Sequence, residues 1–158
     1  MRSESKGTLA TSVYARGEFM KADVAELEKT VALWPGVSVH PHRFGGREFR
    51  FGNAEIGHIH VSGSVDIPFT RAIRDALLSA GFAEEHRWVP NSGWVTFSVR
   101  SDNQLPHALW LMRLSYLRYA LKQSANPQQV LEEETVKLGL SSQFAFLLRQ
   151  HVPRAFSA

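Results

Sequence analysis

The stretch REFRFGNAEIGHIHVSGSVDI, residues 47–67, carries three short strand-like runs, each broken by a pair of small residues. Residues 47–51, 54–61 and 64–67 read as strands, and Gly52-Asn53 and Ser62-Gly63 are connectors of the kind that close hairpins. Upstream, VSVHPHRF (37–44) reads as a further strand joined through Gly45-Gly46. Pro41 demotes it to an edge or bulged position, because proline has no N–H for the ladder. Strands this close in sequence pair antiparallel, since a parallel pair needs a crossover of about a dozen residues or more.

Outward from this run the period lengthens. Val24, Leu27 and Val31 predict a helix over 19–33, stopped by Trp34-Pro35-Gly36. Phe69, Ile73 and Leu77 predict a second helix over 69–80, with Thr70 as cap and Gly81 as stop. Residues 82–89 and 93–100 read as another hairpin. A third helix, about 103–122, is apolar nearly all round, interrupted by Arg113 and Arg118, so it is packed on two sides or shares a surface with a partner. Asn126, Pro127 and Gln129 have the positions of cap, first turn and capping box for a fourth helix ending near Gly139, and a short fifth follows to Gln150. The expected fold is α+β: a two-layer domain with an antiparallel sheet built of hairpins, helices packed on one face and a helical C-terminal extension. Its divisions are a leader over 1–18, a core over 19–122 and the docked extension over 123–158.

The 158 residues, 44% hydrophobic and 21% charged, are enough for one buried core. The absence of cysteine excludes disulfides, thiolate ligands and a cysteine nucleophile. No apolar run approaches the roughly 18 residues a membrane helix needs, and GTLATSVYA (7–15) is too short and polar for a signal-peptide core. The default compartment is the cytoplasm. A net charge of +3 does not call for nucleic acid, and Arg43, Arg47, Arg50, Arg71, Arg74 and Lys122 are scattered, without a stacking motif of aromatics.

Two-residue turns at Gly45-Gly46 and Gly52-Asn53 would set His42 opposite Phe49, His40 opposite Phe51, Phe49 opposite Ile56 and Arg47 opposite His58. Directly opposed residues share a face, so four histidines would line one wall with Phe49, Phe51 and Ile56. Glu48 and Glu55 would lie on the other side, paired with arginines. A three-residue turn at Ser62–Ser64 brings Asp66 onto the histidine side, a two-residue turn removes it, and one slip of register dissolves the group. Imidazoles near a carboxylate suit a divalent metal or an acid–base pocket. His-x-His alone also fits half-buried strand residues bonded to Glu55, Asp66 or backbone. The candidate catalytic residues are His58, His60 and His86, with His58 and His60 also the candidate metal ligands. Phe49, Ser64, Asp66, Trp94 and Arg113 are the candidate ligand-binding residues. A structural bond to a neighbouring acid is the competing role for Arg113. The expected cofactor, if any, is a divalent metal, and the expected partner is a small molecule. The alternative is a protein-interaction module, a homodimer formed through the 103–122 helix along Leu105, Leu109, Met112 and Tyr116.

The segment 42–88 also resembles a family called the luciferase-like domain. The matching features are Gly45-Gly46 with Glu48-Phe49, Glu55-x-x-His58-x-His60, Gly63-Ser64 and GFAEEH at 81–86. The likeness extends over about 37–121, with ALWLMRLSYLRYAL similar to the family's closing helix. It implies that His58, His60, Gly63, Ser64 and His86 are the positions to watch. Members of the family mostly lack a defined biochemistry, so the resemblance does not imply light emission. Where such sequences often carry a histidine-like polar position after Gly-Ser, this chain has Asp66, a departure from an all-histidine set.

Overall fold

The computed structural model describes residues 23–154. The leader expected over 1–18 lies outside them, as do residues 19–22 of the first helix expected from the sequence. The chain runs through α1 (23–32), β1 (Val37–Pro41), β2 (Arg47–Phe51), β3 (Ala54–Ile59) and β4 (Ser64–Pro68). Then come α2 (Arg71–Ser79), β5 (Glu84–Glu85), β6 (Trp94–Ser98), α3 (Leu105–Gln123), α4 (Pro127–Leu138) and α5 (Ser142–Arg149). The strands form one antiparallel sheet in the order β1-β2-β3-β4-β6-β5. The α+β architecture read from the sequence is therefore present, with its helices against the sheet and the last two helices as a C-terminal extension.

One face of the sheet is the core. Phe49, Ile56, Ile59, Val65, Ile67 and Val95 are buried there against Ile73 and Leu77 of α2 and Leu111, Met112, Leu114 and Leu117 of α3. Each such side chain contributes about 1.5–3 kcal/mol by leaving water. Helix α3 touches β2, β3 and β4 on one side and α4 and α5 on the other, which accounts for its nearly uninterrupted apolar surface. Met112 and Tyr116, expected on a dimer face, are buried within the chain itself. That correction follows from the packing of the helix on the sheet: Met112 lies against Gly57 of β3, and Tyr116 donates to the Pro35 carbonyl beside the rings of Trp34 and Phe51.

Both arginines of α3 are absorbed by structure. Arg113 donates to Glu134 at 3.0 Å and 2.5 Å and lies over the rings of Trp34 and Tyr116. Arg118 donates to the Pro68 carbonyl at 2.5 Å, an oxygen that also accepts from Ser115. Thr70 caps α2 and Ser141 caps α5. Asn126 makes no side-chain capping bond, and Gln129 bonds Glu133 one turn on instead of closing a capping box.

Two register differences decide where the histidines face. Pro41 pairs with Arg47, so the link from β1 to β2 is the five residues 42–46, wound through a 3-10 turn at Arg43–Gly45, and not a two-residue turn. Val39 then opposes Phe49 and His40 opposes Glu48. Between β2 and β3 the expected pairing holds at Phe51–Ala54 and then shifts: Arg50 meets Glu55, but Phe49 meets Gly57 and Glu48 meets His58. Ile56 and Gly57 form a bulge, and both face the core. Gly57 has φ +148°, and a Cβ there would lie 2.7 Å from Met112 Sδ and 3.1 Å from the Asp66 carbonyl oxygen. Only glycine fits, because α3 packs directly on the strand. Each difference displaces pairing by an odd number of residues, so each reverses a face. The histidines of β1 and β3 stay together, and the side chains of β2 exchange sides.

Candidate functional site

The face turned away from the helices carries Glu48 and Arg50 from β2, Glu55 and His58 from β3, Asp66 from β4, and Trp94 and Thr96 from β6. The bulge makes this set possible. In a regular strand Glu55 and His58, three apart, would face opposite ways. With Ile56 and Gly57 both turned inward, Glu55 and His58 share a side, and Glu55 Oε1 lies 2.6 Å from His58 Nδ1. The expectation that Glu48 and Glu55 sit opposite the histidines is thereby corrected. Phe49 moves the other way: it is wholly buried in the core and has no place in the histidine wall.

Asp66 is the centre of the wall. It lies across from His58 in the β3–β4 register and from Thr96 in the β4–β6 register. His60 N–H donates to the Ser64 carbonyl, closing a connection of Val61, Ser62 and Gly63 that keeps Asp66 on the histidine side. Its Oδ2 lies 3.2 Å from His58 Nε2 and 2.9 Å from His60 Nε2, and its Oδ1 accepts from the Thr96 hydroxyl at 2.5 Å. His86, just past β5, brings its Nε2 to 3.5 Å from the same Oδ2, while its Nδ1 accepts from the Trp88 N–H. Only Glu84 and Glu85 of the expected 82–89 strand join the sheet. The following residues turn over the wall, which is how His86 reaches it.

His42, from the β1–β2 link, stacks on His58 with ring centroids 3.9 Å apart. Its Nδ1 is 3.5 Å from Glu48 Oε2, and Glu48 in turn bonds Arg50. Trp94 stands beside the group, its ring centroid 5.6 Å from that of His58 and 6.0 Å from that of His86.

Burial alone would discharge His58, but carboxylates at both ring nitrogens, Asp66 and Glu55, outweigh it and raise its pKa to about 9. With both nitrogens facing acceptors, the imidazolium is the form that satisfies them. Asp66 shows the converse: burial would raise its pKa, but bonds from His58, Thr96 and His60 hold it well below the usual carboxylate range. His42 is lowered by burial and by the neighbouring His58, more than the Glu48 contact restores. A charged ring thus stacks on a neutral one.

His42, His58 and His60 each offer a ring nitrogen within 4.8 Å of the other two, a set that could hold a metal ion. Glu48, Glu55 and Asp66 stand at ring nitrogens of these histidines, acceptors of the kind that orient ligating imidazoles. Because His58 has a carboxylate at each nitrogen, a metal there would take the place of one of them. In front is a cleft of about 710 Å³ lined by His42, His58, His60, Asp66, Ser64 and His86 among others. The structure thus brings together His58, His60, His86, Asp66, Ser64 and Trp94. It leaves Phe49 in the core and Arg113 bonded to Glu134 among the helices. His42, Glu48, Glu55 and Thr96 are members outside the candidate set. The signal for Glu55 is Gly57, a lone glycine inside a strand, which marks a bulge or a close backbone approach.

Residues 53–115 match the family model described as Luciferase domain. The matched stretch is less than half of the chain. It holds Glu55, His58, His60, Asp66, His86, Trp94 and Thr96, while His42 and Glu48 precede it. No curated protein and no solved structure matches the chain. Among the described residues, no helix is long and apolar enough to cross a membrane.

Proposed function

We propose that the cleft is a small-molecule site built on a divalent transition metal held by His42, His58 and His60. The observation that carries this reading is the mutual approach of three imidazoles within 4.8 Å, in front of Asp66, Glu55 and Glu48. Imidazole suits zinc, nickel, copper and iron, and three histidines leave coordination positions open for a ligand or water. A metal must displace the proton of His58, so binding releases protons and tightens as pH rises. Bound metal would supply a polarising centre; the chain's own contribution is to orient the rings through Asp66 and Glu48 and to shelter them in the cleft.

The test is cobalt titration of the purified chain, read by visible absorption, with zinc as competitor. One equivalent should bind, and His58→Gln or His60→Gln should weaken binding at least about tenfold, the scale on which ligand and orienting groups act. His107→Gln, whose ring bonds the Phe82 carbonyl outside the cleft, should bind as the parent does. Binding equal in all four proteins would contradict the reading.

A metal-free site for proton transfer is the second reading, favoured by the fan of imidazoles on Asp66. His60 would be fixed through Nε2 by the carboxylate, leaving Nδ1 as the exchanging atom. Ligand binding that persists in chelator, with no rise in melting temperature from any divalent ion, would favour this version.

A further inference from the structure

The cleft has a second chemistry at its mouth. Phe44 is 90% exposed and Trp88 77% exposed, and both line the cleft whose floor is the histidine wall. They come from opposite ends of the sheet, Phe44 from the β1–β2 link and Trp88 from the segment after β5. Each follows an arginine, and Arg43 and Arg87 line the same cleft. The Arg87 guanidinium lies 5.0 Å from the centre of the Trp88 ring. Neither arginine forms an ion pair with a carboxylate among the described residues, where Arg47, Arg50, Arg74 and Arg113 all do.

Phe44 is out of place as a folding residue. Its φ of +55° is a left-handed conformation, which bulky side chains disfavour and glycine or asparagine adopts easily. Its ring contributes almost nothing to the core. A backbone outlier with an exposed side chain is a reason to look for a contact outside the fold. Trp88 likewise offers a wide, rigid face to the cleft.

We infer that the two arginine–aromatic pairs are the jaws of a binding site for a planar aromatic acid, the ring lying against Phe44 or Trp88 and the anionic group taken by Arg43 or Arg87. The chemistry is complementary on both counts: aromatic faces prefer flat conjugated rings, and the guanidinium fork matches a carboxylate. A ligand held in this way projects its other end towards the histidine floor. The inference deepens the small-molecule reading and rests on it, but not on the metal.

The experiment is calorimetric titration of the full chain, in chelator and again with one equivalent of zinc. The probes are benzoate, 4-hydroxycinnamate and 1-naphthoate, against hexanoate and benzylammonium. At least one aromatic acid should bind at least about tenfold tighter than either comparator, a difference of about 1.4 kcal/mol. Phe44→Ala and Trp88→Ala, both at exposed positions, should each weaken it several-fold, and Arg43→Gln with Arg87→Gln should abolish the preference for an anion. Equal affinity for aromatic acids and hexanoate, or unchanged binding in the aromatic variants, would overturn the inference. So would binding of phosphatidylserine vesicles through Phe44 and Trp88 with no selectivity among soluble acids, which would make the jaws a membrane contact. Aromatic selectivity without any zinc binding leaves the jaws standing and removes the metal; zinc binding without selectivity does the reverse.

Discussion

Two histidines in this chain are withdrawn from water and respond in opposite ways. His58, in the sheet wall, is raised to about 9; His151, beyond α5, is lowered to about 4. Burial disfavours the charged ring in both. Around His58 the nearest partners are Asp66 and Glu55, which overturn that effect; around His151 they are Arg118 and Lys122, which add to it. The neighbours, not the depth, set the sign. One region holds its imidazole charged, and the other keeps a ring neutral.

The sharpest way to break this contrast is to remove the bulge that brings Glu55 round to His58. Gly57→Val puts a branched side chain at φ +148°, within contact of Met112 and the Asp66 carbonyl. It should cost more than about 3 kcal/mol in denaturant unfolding. Next is Asp66→Asn, which leaves buried imidazoles facing a neutral amide. A loss of about 3 kcal/mol is expected, in the range for breaking a buried charge pair, together with a fall in the His58 pKa measured by NMR.

The pH dependence of stability in chelator sharpens the same contrast. The folded pKa of His58 is above its ordinary value of 6.5, so its contribution is complete below about pH 6.5 and is lost as pH climbs through 9. The folded pKa of His151 is below 6.5, so its contribution is present above that value and is lost as pH falls towards 4. Melting temperature should therefore peak near pH 6.5. His58→Gln should flatten the alkaline limb and His151→Gln the acid limb from 6.5 to 4. A parent profile flat from pH 4 to 9 would contradict both assignments.

The smallest effect concerns the cleft mouth. Phe44→Gly relieves a left-handed backbone position without opening a cavity, and should raise stability by up to about 1 kcal/mol in the same unfolding assay. A loss would mean that the ring packs on the fold after all.

Element order was legible because it depends on local pattern: periodicity, Thr70, Gly81, Pro127 and Gly139 mark helices whose ends the structure reproduces closely. Register was not, because it depends on contacts between distant segments. The length of the 42–46 link is set partly by Gly46 lying against the Ile59 carbonyl, where a Cβ would come within 2.6 Å. The bulge is set by Met112, more than fifty residues along the chain from Gly57. Two odd displacements happened to leave His42, His58 and His60 together, so the imidazole grouping was anticipated while the phenylalanine wall and the side assigned to Glu48 and Glu55 were not. Arg113 illustrates the limit differently: nothing near it in sequence identifies Glu134, on the next helix, as the acid that occupies it.

The most direct measurement is ring-nitrogen NMR of all the histidines during a zinc titration of the full chain. The signals of His42, His58 and His60 should move together and saturate at one equivalent, while those of His107 and His151 stay in place. Resonances of the three wall histidines that remain unmoved, or that move no more than those of His107 and His151, would contradict the account.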